Sequence, residues 1–204
     1  MHEEFRPGFG RGLTIFVAAI AVISSVVVLV TAGVTDTLLT VPWLALLVAT
    51  CWAFFWRPSV IVTDAGVRLV NVTRTIDVPW PAVEDVDTRF ALTLDTAYGR
   101  FAAWAAPAPG AGTALRSSMK ARRRPSDDPD DPVVIETSSM GDLAGSPSGE
   151  AAKIVRRRWE RLRDDGFLDD PQVEFEKAPI TWHWRIGLGV GALAAASVAT
   201  LFLG

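Results

Sequence analysis

Hydrophobic and polar positions fall into blocks along the chain. Leu13 to Val34 carries no charged residue, and at about 1.5 Å per residue a helix of that length crosses a hydrocarbon core about 30 Å thick. Thr37 to Trp56 is a second uncharged run. Trp52, Phe54, Phe55 and Trp56 crowd its end beside Arg57-Pro58, where an aromatic belt would meet headgroups and a proline would stop a helix. Only the stretch around Gly33 to Asp36 separates the two runs, so residues 13–56 predict a helical hairpin, with Pro42 as a bend in its second arm. A third span is expected within 182–204. Its uncharged stretch, Ile186 to Leu203, follows Trp182, Trp184 and Arg185. The ending Val30-Thr31-Ala32 resembles a signal-peptide cleavage site, but the run is longer than a signal peptide needs and another apolar segment follows at once.

Between the second and third runs the period changes to two. Val60 to Val62, Val67 to Val72, Arg74 to Val78, Phe90 to Leu94 and Phe101 to Trp104 read as short strands. Turn signals at Asp64-Ala65-Gly66, Asn71 to Arg74 and Ala97-Tyr98-Gly99 separate them. Ile76 and Val78 alternate with Thr75 and Asp77, and Phe90, Leu92 and Leu94 alternate with Ala91, Thr93 and Asp95. Residues 57–106 thus predict one small, curled antiparallel sheet. Three positions carry structural expectations in it. Gly66 would supply the positive φ of a tight turn, Trp80 between Pro79 and Pro81 would fold its ring over the apolar face, and Trp104 would join the core.

Residues 107–147 are dense in Ala, Pro, Gly, Ser and Asp, and read as a disordered insertion. A basic knot of Lys120, Arg122, Arg123 and Arg124 precedes an acidic one at Asp127, Asp128, Asp130 and Asp131, and residues 133–136 hold the candidate for an added strand. Helical periodicity returns over 148–166. Ala151, Ile154, Val155, Trp159 and Leu162 make an apolar stripe, with Ser148 as the expected cap and Gly166 as the stop. The stripe is expected to cover an open end of the sheet. Lys153, Arg156, Arg157, Arg158, Arg161 and Arg163 make the other face basic, and residues 167–181 tether the helix to the third span.

Composition agrees with part of the chain lying in lipid. Half of the 204 residues are hydrophobic, with 21% charged and a formal net charge of −3, and the mean hydropathy is +0.27. One cysteine, Cys51, excludes an internal disulfide and any cysteine-cluster metal site. The histidines are His2 and His183, at the ends of the polar regions, so no histidine-based acid–base pair or metal cluster is expected in the folded domain, and there is no Walker loop or dinucleotide fingerprint. Glu84, Asp85 and Asp87 without a partner base read as a solvated face. No catalytic residue, cofactor or metal ligand is therefore expected, and the chain is not read as an enzyme. Arg6, Arg11, Arg57, Lys177 and Arg185 flank the spans on one side, against Asp36 alone on the other. That bias predicts a multi-pass plasma-membrane protein with residues 1–12 and the β-rich region cytoplasmic and the C-terminus outside.

Arg57-Pro58-Ser59-Val60, Thr63-Asp64-Ala65-Gly66-Val67, Asn71, Arg74 and the Ile76-Asp77-Val78-Pro79-Trp80 block followed by Val83 and Val86 resemble the short actinobacterial pleckstrin-homology-like (PH-like) domain typified by low-molecular-weight protein antigen six. In that family the domain follows a two-span hairpin. The resemblance implies an α+β membrane protein with a barrel-like antiparallel sheet and a C-terminal helix cap; the insertion and the third span depart from it. Two functions remain open. One is a docking or assembly module for a membrane-protein partner. The other is recognition of anionic membrane lipids by Lys120, Arg122, Arg123, Arg124, Lys153, Arg156, Arg157 and Arg163. Nucleic acid is not expected, because few aromatic residues stand among the arginines. Gly187, Gly191 and Ala195 have small-xxx-small spacing and could pack on the hairpin or on a second copy.

Overall fold

A computed structural model of the chain describes residues 3–108, 146–168 and 176–202. It is an α+β structure. The strands are β1 (Glu3–Phe5), β2 (Ser59–Val62), β3 (Gly66–Val70), β4 (Arg74–Pro79), β5 (Val83–Asp87), β6 (Ala91–Thr96), β7 (Gly99–Pro107) and β8 (Ile180–Trp182). The helices are α1 (Gly8–Cys51), α2 (Pro147–Asp164) and α3 (Trp184–Thr200). The basic knot and the candidate strand at 133–136 lie outside the described residues.

Helix α1 does not run straight. Gly33 interrupts it with φ 87° and ψ −174°, a conformation that glycine reaches without strain. The Thr14 hydroxyl comes within 3.5 Å of the Cys51 carbonyl, 37 residues on, whereas an unbroken helix would hold them about 55 Å apart. The arms fold back on each other, and at their base an added Cβ on Gly10 would run into the Phe55 carbonyl oxygen. Pro42 stays within the helix. A π-helical turn, Trp52–Trp56, ends the second arm. Helix α3 packs along α1, and the Trp43 indole donates to the Thr200 hydroxyl at 3.1 Å. The segment from Gly8 to Trp56 is long and apolar enough to cross a membrane, with a mean hydropathy of 2.9 over an 18-residue stretch.

The strands form two antiparallel sheets in place of the expected single one: β1-β2-β3-β4-β8 and β5-β6-β7. The chain changes sheet at the 3-10 turn Trp80–Ala82. Pro79 and Pro81 supply no N–H to a ladder, so the turn falls where pairing must stop. Strand β7 lies against β2 and β3, and the space between the sheets is filled by Val60, Val67, Leu69, Ile76, Val78, Leu92 and Leu94, each 1% exposed or less. Trp80 is 3% exposed, and its indole N–H donates to the Thr63 carbonyl at 2.9 Å, which satisfies the one polar atom that its burial would otherwise strand.

Helix α2 covers this core from the side of β5, β6 and β7. Ala151, Ala152 and Val155 of the helix are fully buried, as are Ala103, Ala105 and Ala106 of β7 to within 2%, and small side chains on both surfaces allow a close approach. The helix opens two residues earlier than the sequence suggests. Ser146 is the cap and accepts from the Gly149 N–H at 3.0 Å, Pro147 occupies the first position, and Ser148 is buried. Proline at that position is preset for a helix and lacks an N–H that would need a partner. At the other end Gly166 has φ 77°, with the N–H groups of Gly166 and Phe167 bonded to the carbonyls of Arg163 and Leu162, a Schellman stop.

Gly66, Trp104 and Phe90 depart from the sequence expectations. Gly66 does not have a positive φ; the glycine that does in these hairpins is Gly99, at 111°. Gly66 starts β3 opposite Pro79, and a Cβ there would strike the Val78 carbonyl oxygen, so glycine is needed for backbone approach. Trp104 is 54% exposed and not in the core, because the inward positions of β7 are its alanines. Phe90 is 88% exposed, in the bend before β6.

Two substitutions test this packing by thermal unfolding of the purified chain. Trp80→Ala should destabilise it by about 3–5 kcal/mol through the cavity left behind. Gly66→Ala should cost about 1–3 kcal/mol through the clash with Val78, and an unfolding transition unchanged in Gly66→Ala would refute the close approach.

Candidate functional site

The domain has two ends, and strand register tells them apart. Ser59, the first residue of β2, pairs with Val70, the last of β3, and the Asn71–Thr73 loop and Arg74 follow. Trp182 of β8 pairs with Arg74 and leads directly into α3. Phe5 of β1 pairs with Val60 and leads into α1. All these lie at the helix end. Val62, Asp64, Gly66 and Pro79 lie at the far end, about 10 Å further along the strands.

The helix end is braced by polar and aromatic contacts. Arg57 donates to the Asn71 carbonyl at 2.8 Å, and partial burial holds its guanidinium below its ordinary pKa. The Asn71 amide donates to the Ala102 carbonyl at 2.9 Å and its oxygen accepts from the Trp104 N–H at 2.8 Å. Trp104 packs edge-on against Phe54, with ring centroids 5.8 Å apart, and its indole N–H donates to the Phe54 carbonyl at 3.0 Å. It therefore joins the sheet to the base of the hairpin. Arg11 stacks over Trp56, Arg74 over Trp182 and Arg185 over Trp184, at 5.7, 5.6 and 5.6 Å.

Helix α2 starts at the helix end, where Pro147 stands in the same cleft as Phe9 and Phe54, and runs toward the far end, where Arg158 pairs with Asp64 at 2.7 Å. From Pro147 to Arg158 the rise is about 16 Å. The residues expected to contact a ligand divide accordingly. Lys153, Arg157 and Arg163 are exposed, together with Arg161. Arg156 turns back to the sheet and donates to the Val86 carbonyl at 2.8 Å. Arg163 lies over the Trp159 ring at 5.3 Å. Lys120, Arg122, Arg123 and Arg124 lie outside the described residues. The exposed arginines thus lie in the C-terminal half of α2, at the end remote from the helices, interleaved with exposed Glu160 and followed by Asp164 and Asp165.

The acidic group sits on β5, which pairs with β6. Glu84 and Asp85 are exposed; Asp85 faces Asp95 across the strands, and Arg100 clasps Asp95 with contacts of 2.5 and 2.9 Å. The Arg89 N–H, 3.0 Å away, holds the Asp87 carboxyl below its ordinary range. Among the described residues no three His, Cys, Asp or Glu side chains are grouped to hold a metal.

Two antiparallel sheets with a change of sheet at a proline-flanked tryptophan accompany a match to the family described as "Bacterial PH domain", over residues 57–134. A bacterial PH domain is found at residues 57–134. The match takes in β2 to β7 of the PH domain and leaves β1, α2, β8 and the helices outside it. No curated protein and no solved structure matches the chain.

The Arg158–Asp64 pair fixes the remote end of α2, and it is largely solvent-exposed on the aspartate side. A double-mutant cycle with Arg158→Ala and Asp64→Ala should give a coupling of about 0.2–1 kcal/mol. A coupling of zero would mean that the pair does not hold α2 on the turn between β2 and β3.

Proposed function

We propose that the chain is an integral membrane protein that presents its PH domain on the cytoplasmic side of the plasma membrane as a non-catalytic docking module for a protein partner. Membrane insertion is supported by the outer surface of α1, where Ile15, Phe16, Val22, Ile23, Val30 and Leu38 are all more than 40% exposed. In water so continuous an apolar surface would aggregate. Helix α3 adds a third span, and the arginine–tryptophan stacks at the domain end match the aromatic and basic flanks of an interface. Arg6, Arg11, Arg57, Lys177 and Arg185 on that side favour a cytoplasmic domain and an outside C-terminus. The two-span hairpin ahead of a PH domain agrees with the low-molecular-weight protein antigen six resemblance.

The observation that carries the docking reading is the direction of α2. Its exposed cations, Lys153, Arg157, Arg161 and Arg163, follow the helix away from the spans, and the last three lie beyond the residue that reaches Asp64 or beside it. Electrostatic attraction to a leaflet falls off over about 8 Å at physiological salt, and the far end of the sheet is further than that from the helix end. Anionic-lipid recognition by this face is therefore the weaker reading. An acidic protein surface, reached through the cytoplasm, is the better complement. The exposed row of Gly187, Gly191 and Ala195 faces away from α1, with open space where a Cβ of either glycine would stand. It remains available to pair a second copy.

The test places a fluorophore on a cysteine at position 161 in a Cys51→Ser background, in nanodiscs carrying nitroxide-labelled lipid. Quenching should be weak and equal in neutral and anionic discs. A photo-crosslinker at position 157 should give, in cells, one protein adduct that disappears when Arg161 and Arg163 are changed to glutamine. Strong quenching confined to anionic discs would replace the docking reading with the lipid one.

A further inference from the structure

The helices and the PH domain do not meet flush. Between them lies a groove of about 790 Å³, within the size range of small-molecule sites. Its floor is the outer face of β7 at Ala102 and Trp104, one wall is the base of the hairpin at Phe9, Phe54 and Phe55, and the opposite rim is the loop that ends at Arg74. The surface is overwhelmingly apolar, and among the described residues Arg74 is its charged side chain and no carboxylate lines it.

We infer that this groove holds one acyl chain of an anionic phospholipid drawn from the surrounding leaflet, with the headgroup phosphate on Arg74. The inference rests on the membrane-spanning reading of the hairpin. Phe9, Phe54 and Phe55 are both groove wall and the end of the apolar helical surface, so an acyl chain enters from hydrocarbon without crossing water. Arg74 stands at the level of the arginine–tryptophan stacks, where phosphates lie, and a guanidinium–phosphate contact is charge-assisted. An extended peptide fits less well. Each of its residues brings an N–H and a C=O that need partners, and Asn71, the amide on the groove, already engages the Ala102 carbonyl and the Trp104 N–H with its two polar ends. An acyl chain asks for no hydrogen bonds. It also covers an apolar surface that would otherwise face headgroup water.

The experiment uses the full chain in nanodiscs with phosphatidylglycerol carrying a diazirine near the end of one acyl chain, followed by irradiation and peptide mapping. Adducts are expected on Phe54–Phe55 and Ala102–Trp104 in addition to the lipid-facing residues of 13–34. Ala102→Trp fills the groove from the outer face of β7 and should reduce the groove adducts severalfold with the 13–34 adducts unchanged. Arg74→Gln should abolish the preference of the groove for phosphatidylglycerol over a phosphatidylcholine probe. Labelling of 13–34 with none in the groove overturns the inference and leaves the membrane reading standing; no labelling of either overturns both. Groove labelling that is indifferent to Ala102→Trp overturns it too. Labelling that emerges only after deletion of residues 110–131 assigns the groove to the chain's own segment and likewise overturns the inference.

Discussion

The two edges of the five-stranded sheet govern the arrangement of everything else. A sheet edge exposes unpaired N–H and C=O groups and invites pairing with another chain. Here both edges are short strands that lead into helices: β1, just before α1, pairs with β2, and β8, just before α3, pairs with β4, so little unpaired edge is left. Each pairing spans only three residues, yet together they tie the sheet to two of the chain's passages into the helices, and the direct link from the hairpin to β2 through Pro58 makes a third. A PH domain hung on one linker could tumble. One held at both edges and again through Trp104 on Phe54 has a fixed attitude.

That attitude turns an otherwise ambiguous basic helix into a directional feature. Opposite charge on a leaflet and opposite charge on a protein attract arginines equally, so composition alone does not choose between them. Register adds how far each residue stands from the helix end, and the proposed docking reading rests on that distance. Helix α2 begins beside Phe9 and passes Asp64 at the other end of β2, and its cations accumulate after the midpoint. The apolar groove has the opposite placement. It lies where the sheet meets the helix bases, with apolar walls and Arg74 on its rim.

Much of this was legible in the sequence, and the exceptions have physical causes. The turns at Asp64-Ala65-Gly66, Asn71 to Arg74 and Ala97-Tyr98-Gly99 separate real strands, because turn chemistry is local. Strands β1 and β8 are too short to carry a period, and Glu3-Glu4-Phe5 offers one apolar residue; their pairing is decided by partners far along the chain. Strand β5 was hidden by Glu84, Asp85 and Asp87 and by a register shift between Val83 and Asp85 that spoils the alternation. Trp104 was misread because size suggests burial. In β7 alanines fill the interior, since α2 brings its own alanines against them, and the large ring is left for the hairpin. Gly66 signals a turn by its neighbours but is required by the Val78 backbone opposite. For the basic surface, the residue types were visible, and the direction in which they point was not, because it depends on which end of β2 faces the helices.

The claim on which the rest depends is that β1 and β8 pair onto the sheet and tie it to the helices. Hydrogen–deuterium exchange on the full chain in lipid nanodiscs, resolved to the amides of Glu4, Phe5, Thr181 and Trp182, tests it directly. The account predicts that the amides of these residues that bond into the ladder exchange as slowly as their partners in β2 and β4. Exchange at the rate of unstructured chain in both segments, with β2 and β4 still protected, would contradict it.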